Sequence, residues 1–140
     1  MSVLIENGSF GTPDGTNYAG LDAPYLDAER VLSFDLAADT KPEDAIARIP
    51  EARTFRIDFP TSHDGRGNSL ARALREAGFE GRLIAHGVVL ADQYPLALRC
   101  GFDAVEISDA LAARMPEDQW REALTRVVPN YQDRLMKDHA

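Results

Sequence analysis

The stretch "TFRIDFPTSHDGRGNSLARALREAGF", residues 54–79, changes its period halfway along. Phe55, Ile57 and Phe59 alternate with Arg56 and Asp58, the two-residue repeat of a strand with one face more buried than the other, and Pro60 ends it. From Leu70 the apolar side chains fall at Leu70, Leu74 and Ala77, one stripe at helical spacing, with Arg72, Arg75 and Glu76 elsewhere on the wheel. Gly78-Phe79 then reads as a left-handed residue followed by an apolar one that packs back on the last turn. Strand, glycine loop, helix and stop are thus spelled out in order.

The same unit recurs. Ala-Leu-Arg precedes Gly-Phe at residues 73–79 and again at 97–102, where the second stop is Gly101-Phe102. Between the stops lie an apolar run, Leu83-Ile84-Ala85, and a helix through Tyr94, Ala97 and Leu98 with Pro95 in its first turn. Upstream, Val31 to Phe34 reads as a strand and Pro42 to Ile49 as a short helix with acids at its start. Downstream come a strand at Ala104–Ile107, a short helix led by Ser108, and a helix from Pro116 carrying Trp120, Leu124 and Val127, which Pro129 ends or kinks. Trp120 and Tyr131 read as core or interface residues. Residues 1–30 are dense in turn formers and form a loop-rich extension with a short strand or hairpin at Val3–Ile5.

Successive β-α units predict one α/β domain over residues 1–140, built on a small, mainly parallel sheet, either open and three-layered or part of a β/α barrel. In both arrangements the connections leaving the strands gather on one rim: residues 60–68, His86–Leu90 and Glu106–Asp109. Cys100, at the end of a helix, belongs at the opposite edge and should not meet Asp64. Its setting predicts a packed, inert thiol.

Composition narrows the chemistry. With 15 basic and 23 acidic side chains the formal charge is −8, which opposes nucleic acid as a partner. Val3-Leu4-Ile5 is too short a run for a leader core or a membrane span, so a soluble cytoplasmic protein without a membrane partner is expected. A single cysteine excludes an internal disulfide, a paired-cysteine redox centre and a four-cysteine metal site within one chain.

The rim loop carries the candidate site. Gly65 and Gly67 flank Arg66, and the bland reading is a turn that needs positive φ or close packing. The functional reading is an anion cradle of Gly65, Arg66, Gly67, Asn68 and Ser69, with free amides near Asn68 and Ser69 and the Arg66 guanidinium as a clamp. Leu70 stands where a dinucleotide fingerprint needs a small residue, and no Walker lysine comes after it. Asp64 and Asp92 are the candidate catalytic carboxylates; Asp64 could instead orient Arg66, and each is also able to serve as a turn or capping residue. His63 and His86 have no metal-ligand spacing with Asp64 or Asp58, and no metal is expected.

Residues 59–106 resemble a bacterial family, domain-of-unknown-function family 934. The resemblance rests on "FP" at 59–60, "DGRG" at 64–67, Ser69 with "AR" and "LR" after it, "GF" at 78–79, "DQ" at 92–93 and "RCGFDA" at 99–104, with a weaker "YQ" at 131–132. It departs at Ser62, Asn68 and Val88, where members usually carry an aromatic, an aromatic and an acid, and His63 and His86 lie outside the pattern. The resemblance implies a cytoplasmic protein encoded beside sulfite reductase and other enzymes of assimilatory sulfate reduction, in a family whose members are sometimes labelled oxidoreductases. It carries over Asp64, Arg66, Ser69, Arg72, Asp92, Gln93, Arg99 and Cys100, of which the first six approach the rim and Arg72 and Gln93 would support the loop. The expectation is an accessory protein of sulfite or sulfate assimilation whose loop binds a small oxyanion or docks a partner such as sulfite reductase. The alternatives are an oxidoreductase using a diffusible nicotinamide or flavin, and a non-catalytic adaptor; self-association is compatible with each.

Overall fold

In the computed structural model, residues 1–22 and 32–127 are described. The expectations for Val31, Pro129 and Tyr131-Gln132 lie outside them. The strands are β1 (Ser2–Glu6), β2 (Ser9–Gly11), β3 (Leu32–Leu36), β4 (Ala52–Phe59), β5 (Arg82–Gly87) and β6 (Ala104–Ser108). The helices are α1 (Pro42–Ile46), α2 (Arg66–Glu76), α3 (Tyr94–Cys100), α4 (Asp109–Arg114) and α5 (Glu117–Leu124). They build one six-stranded sheet of order β2-β1-β6-β5-β4-β3. β3 through β6 pair in parallel, β1 lies antiparallel on β6, and β2 closes a hairpin with β1. Asn7 and Gly8, both at positive φ, make that hairpin turn. Residues 2–11 therefore supply two strands of the sheet.

The four parallel strands lie side by side in chain order, so the sheet is wound in one direction only. Alternation along the strands separates its faces. Ile5, Phe34, Leu36, Phe55, Ile57, Phe59, Leu83, Ala85, Val105 and Ile107 point into a single core with Ala45, Leu70, Leu74, Tyr94, Leu98, Ala112 and Trp120 from the five helices. The residues between them, Asp35, Arg56, Asp58, Ile84, His86 and Glu106, point the other way. The described helices thus cover one face, giving an open two-layer α/β sheet wound like a sector of a β/α barrel, with no second helical layer among the described residues.

Local chemistry sets the element ends. Phe79 N–H donates to Leu74 O (3.0 Å) and Gly78 N–H to Arg75 O (3.0 Å); Phe102 and Gly101 repeat the pair on Ala97 and Leu98 (3.1 Å each). Gly78 and Gly101 have φ of +100° and +110°, so both repeated stops are the double-bonded glycine cap. Arg75 then joins them, donating to the carbonyls of Phe79 (3.0 Å), Gly81 (2.7 Å) and Gly101 (2.8 Å) and to Asp103 (2.8 Å). Pro42 and Pro95 open α1 and α3, and Ser108 Oγ accepts Leu111 N–H (3.2 Å) at the start of α4.

Candidate functional site at the strand-end rim

Phe59 ends β4 at the rim, and its ring constrains the start of α2. A Cβ on Gly67 would stand 2.5 Å from Phe59 Cζ, so glycine is required there because α2 packs directly on the strand's last side chain. Gly67 is not a loop residue, since α2 begins at Arg66, earlier than the apolar stripe from Leu70 implied. Helical start at Arg66 also consumes one amide assigned to the cradle: Ser69 N–H donates to Gly65 O (3.3 Å). Gly65 differs from Gly67. Its φ is −85° and a Cβ would meet nothing within 4 Å, so neither conformation nor packing requires glycine.

The Arg66 guanidinium is taken by Asp64. Nε donates to Oδ1 (2.9 Å), Nη2 to Oδ2 (2.6 Å), and the Arg66 backbone N–H to Oδ1 (3.0 Å). These bonds, the guanidinium first and the amide second, bring the Asp64 carboxyl down to about 2 from an ordinary 3.8 and raise the Arg66 value. So strongly held an anion is a poor proton acceptor near neutrality. A salt-bridged turn residue describes Asp64 better than a general base.

α2 divides the expected cradle between two sides. On one side Gly65, Asn68, Asp64, His63 and Ser62 line a cavity of about 180 Å³ with Phe59, Val89, Gln93, Leu96 and Ala97. On the other, Arg66 and Ser69 border a separate hollow with Asp39, Thr40 and Pro42. Gln93 spans the first: its Oε1 accepts Leu90 N–H (2.9 Å) and its Nε2 donates to Ser62 O, tying the two rim connections together. Asn68 Oδ1 is buried with no partner among the described residues. Asp92 is exposed and does not line the Asp64 cavity, so the two candidate carboxylates do not form a pair.

The remaining carried-over residues lie elsewhere. Arg72 points along α2 away from the rim, its Nη2 3.6 Å from Cys100 Sγ, and therefore does not support the loop. Cys100 is buried at the end of α3; Arg99 is exposed beside it. Trp120 is fully buried against Tyr94, ring centroids 5.3 Å apart. The histidines separate, with His63 at the rim cavity and His86 on β5 between Asp58 and Glu106, 3.7 Å from each. No group of three metal-ligating side chains occurs among the described residues.

The sequence reading missed the helix-free face. There Arg56 binds Asp35 through two bonds (2.6 and 2.8 Å), reaches Glu106 (3.3 Å) and stacks on Tyr18, 3.9 Å from the ring centroid. Ser2 Oγ donates to Glu106 Oε2 (3.0 Å). The signal was present as polar residues at alternate strand positions, but it gives no way to tell a solvated face from a charged network.

An open α/β sheet with a polar rim defines a class broad enough for binding proteins and enzymes alike. Within it, residues 33–140 match the model of the family described as "Bacterial protein of unknown function (DUF934)", and the chain belongs to that family. No curated protein and no solved structure matches it. No helix of the described residues is long and apolar enough to cross a membrane.

Proposed function

We propose that this protein is an accessory protein of assimilatory sulfate and sulfite reduction, and that the rim between β4–α2 and β5–α3 docks it on a reductase of that pathway. The pathway rests on the family resemblance. The observation that carries docking over free oxyanion binding is the Asp64–Arg66 ion pair: the guanidinium available to a ligand at the start of α2 is already matched by a carboxylate. An anion would have to displace Asp64, whereas a protein surface can bond to the outer edges of the pair. Leu96, 43% exposed, stands on the same cavity and supplies the apolar contact that a docking surface needs. Gly65, unconstrained by the fold, leaves the backbone open to close approach.

Co-purification of tagged protein with sulfite reductase tests this. The wild type should retain the reductase and Leu96→Asp should lose it with an unchanged melting temperature. Retention by Leu96→Asp, or none by the wild type, refutes docking at this rim. Calorimetry with sulfite and sulfate covers the other version: saturable heat that vanishes in Arg66→Ala would replace docking by anion binding.

A further inference from the structure

Exposed apolar side chains are few and unevenly placed on this molecule. Beyond Met1, the large ones exposed among the described residues are Val88 (37%) and Leu96 (43%). Both belong to one piece of chain: Val88 opens the connection that follows β5, and Leu96 lies in the first turn of α3, where that connection ends. A single exposed apolar residue is ordinary. Two at the ends of one rim connection mark the centre of a contact surface, since interfaces place apolar side chains inside a polar ring.

The ring here is acidic. Asp39, Glu43, Asp44, Asp58, Asp92 and Asp109 are all exposed and lie at or just past the carboxyl ends of the parallel strands. Asp58 has His86 3.7 Å away, and the others make no ion pair among the described residues. The cations of the same rim are fewer: Arg66 is held by Asp64, which leaves Lys41 and Arg114. Helix polarity accounts for part of this layout. Glu43, Asp44, Asp92 and Asp109 stand in first turns, where free amides favour acids, and Arg75 and Arg99 stand in last turns. Because the parallel strands are wound one way, these local preferences add instead of cancelling, and the opposite edge carries the exposed Arg53, Arg72 and Arg99. Asp39 and Asp58 lie outside any helix and deepen the charge of the rim further.

A surface of this kind selects its partner by charge. Nucleic acid and an anionic membrane meet repulsion. Two rims face to face would oppose acid with acid. The arginine edge of a second copy has the right sign, but among the described residues it has no exposed large apolar side chain to meet Val88 and Leu96. We propose that the partner docked at this rim is a protein surface on which lysines and arginines surround an apolar spot, the spot meeting Leu96 and Val88 and the cations meeting Asp92, Asp109 and their acidic neighbours. The place of this contact rests on the docking reading above, and its chemistry on the layout of charge and apolar surface. The acids speed the encounter and make it sensitive to salt, while the apolar contact holds the complex.

Two measurements test this separately from the choice of reductase. In the first, isotopically labelled full-length protein is titrated with a blocked hexapeptide of paired leucines flanked by paired lysines, and with its glutamate counterpart. The lysine peptide should shift the amides of Val88, Asp92, Leu96 and Asp109 and spare those of Arg53, Glu80 and Arg99. Its affinity should fall at least about threefold between about 20 and about 300 mM salt, and the glutamate peptide should shift neither set. Asp92→Asn together with Asp109→Asn should weaken the lysine peptide at least about threefold, whereas Glu76→Gln together with Glu80→Gln, which removes the same charge from the opposite edge, should leave its affinity unchanged. In the second, the rate of association with sulfite reductase should drop at least about tenfold in the Asp92–Asp109 pair of variants and hold in the Glu76–Glu80 pair. Rim shifts with the lysine peptide but no association with the reductase would support the basic-partner inference while refuting the reductase as that partner. Association at equal rates in both pairs would leave docking standing and overturn the inference. Absent rim shifts at millimolar lysine peptide, equal shifts with the glutamate peptide, or shifts of Val88 and Leu96 that appear on concentrating the protein alone, the sign of a second copy, would overturn it as well.

Discussion

Asp64 and Arg66 form a two-pronged ion pair, with Nε–Oδ1 at 2.9 Å and Nη2–Oδ2 at 2.6 Å, closed further by the Arg66 amide. The pair turns the chain from β4 into α2 and at once removes the charge that an anion cradle would use. Two readings of the same tetrapeptide, a turn and a clamp, meet in this one contact: it accounts for the turn, and an anion would have to displace Asp64 to use the clamp.

That pair should be visible in solution. Carboxyl resonances followed by NMR should show Asp64 titrating near 2, and Arg66→Ala should return it toward 3.8. Because the folded value is the lower, the pair's contribution to stability is present above the unfolded value and is lost as pH falls from there through about 2. A carboxyl that titrates at its ordinary value in the wild type would show that the pair does not persist in solution.

The two glycines should behave oppositely. Gly65→Ala meets no atom and keeps an allowed φ, so thermal unfolding should show no loss and a gain of up to about 1 kcal/mol. Gly67→Ala forces its methyl against the buried Phe59 ring and should cost about 1–3 kcal/mol. Equal effects would contradict the assignment of Gly67 to packing.

Arg75 is a structural cation. Its guanidinium serves three carbonyls and Asp103, so Arg75→Ala leaves several part-buried acceptors unmet and should cost about 3 kcal/mol or more in denaturant unfolding. Arg75→Lys should recover only part of it, since an ammonium lacks the fork that reaches two segments at once. Full recovery by lysine would argue for charge alone.

Those residues also show how much of the fold was legible in the sequence. The repeated Gly-Phe stops, the prolines that open α1 and α3, and the alternation of Phe55, Ile57 and Phe59 are local signals, and each produced the element it predicts. The antiparallel placement of β1 on β6 was not legible, because a five-residue strand carries no mark of its partner. Nor was the one-sided layering: strands with polar residues at alternate positions are equally compatible with a hydrated face and with a cover of other segments. At the rim, sequence brought Asp64, Gly65, Asn68 and Gln93 to one cavity and offered Asp64 either as a partner for Arg66 or as a base, but could not choose between them or foresee that Asp92 would turn to solvent, since both depend on side-chain direction. Arg72 was misplaced for a related reason. Proximity in the chain to the loop says nothing about which end of a helix its long side chain reaches.

The docking account is tested most directly by hydrogen–deuterium exchange of the protein alone and with saturating sulfite reductase. Added reductase should slow exchange in residues 61–66 and 90–97, the two rim connections that Gln93 ties together. Protection confined to residues 12–18 and β2, or none anywhere, would contradict it.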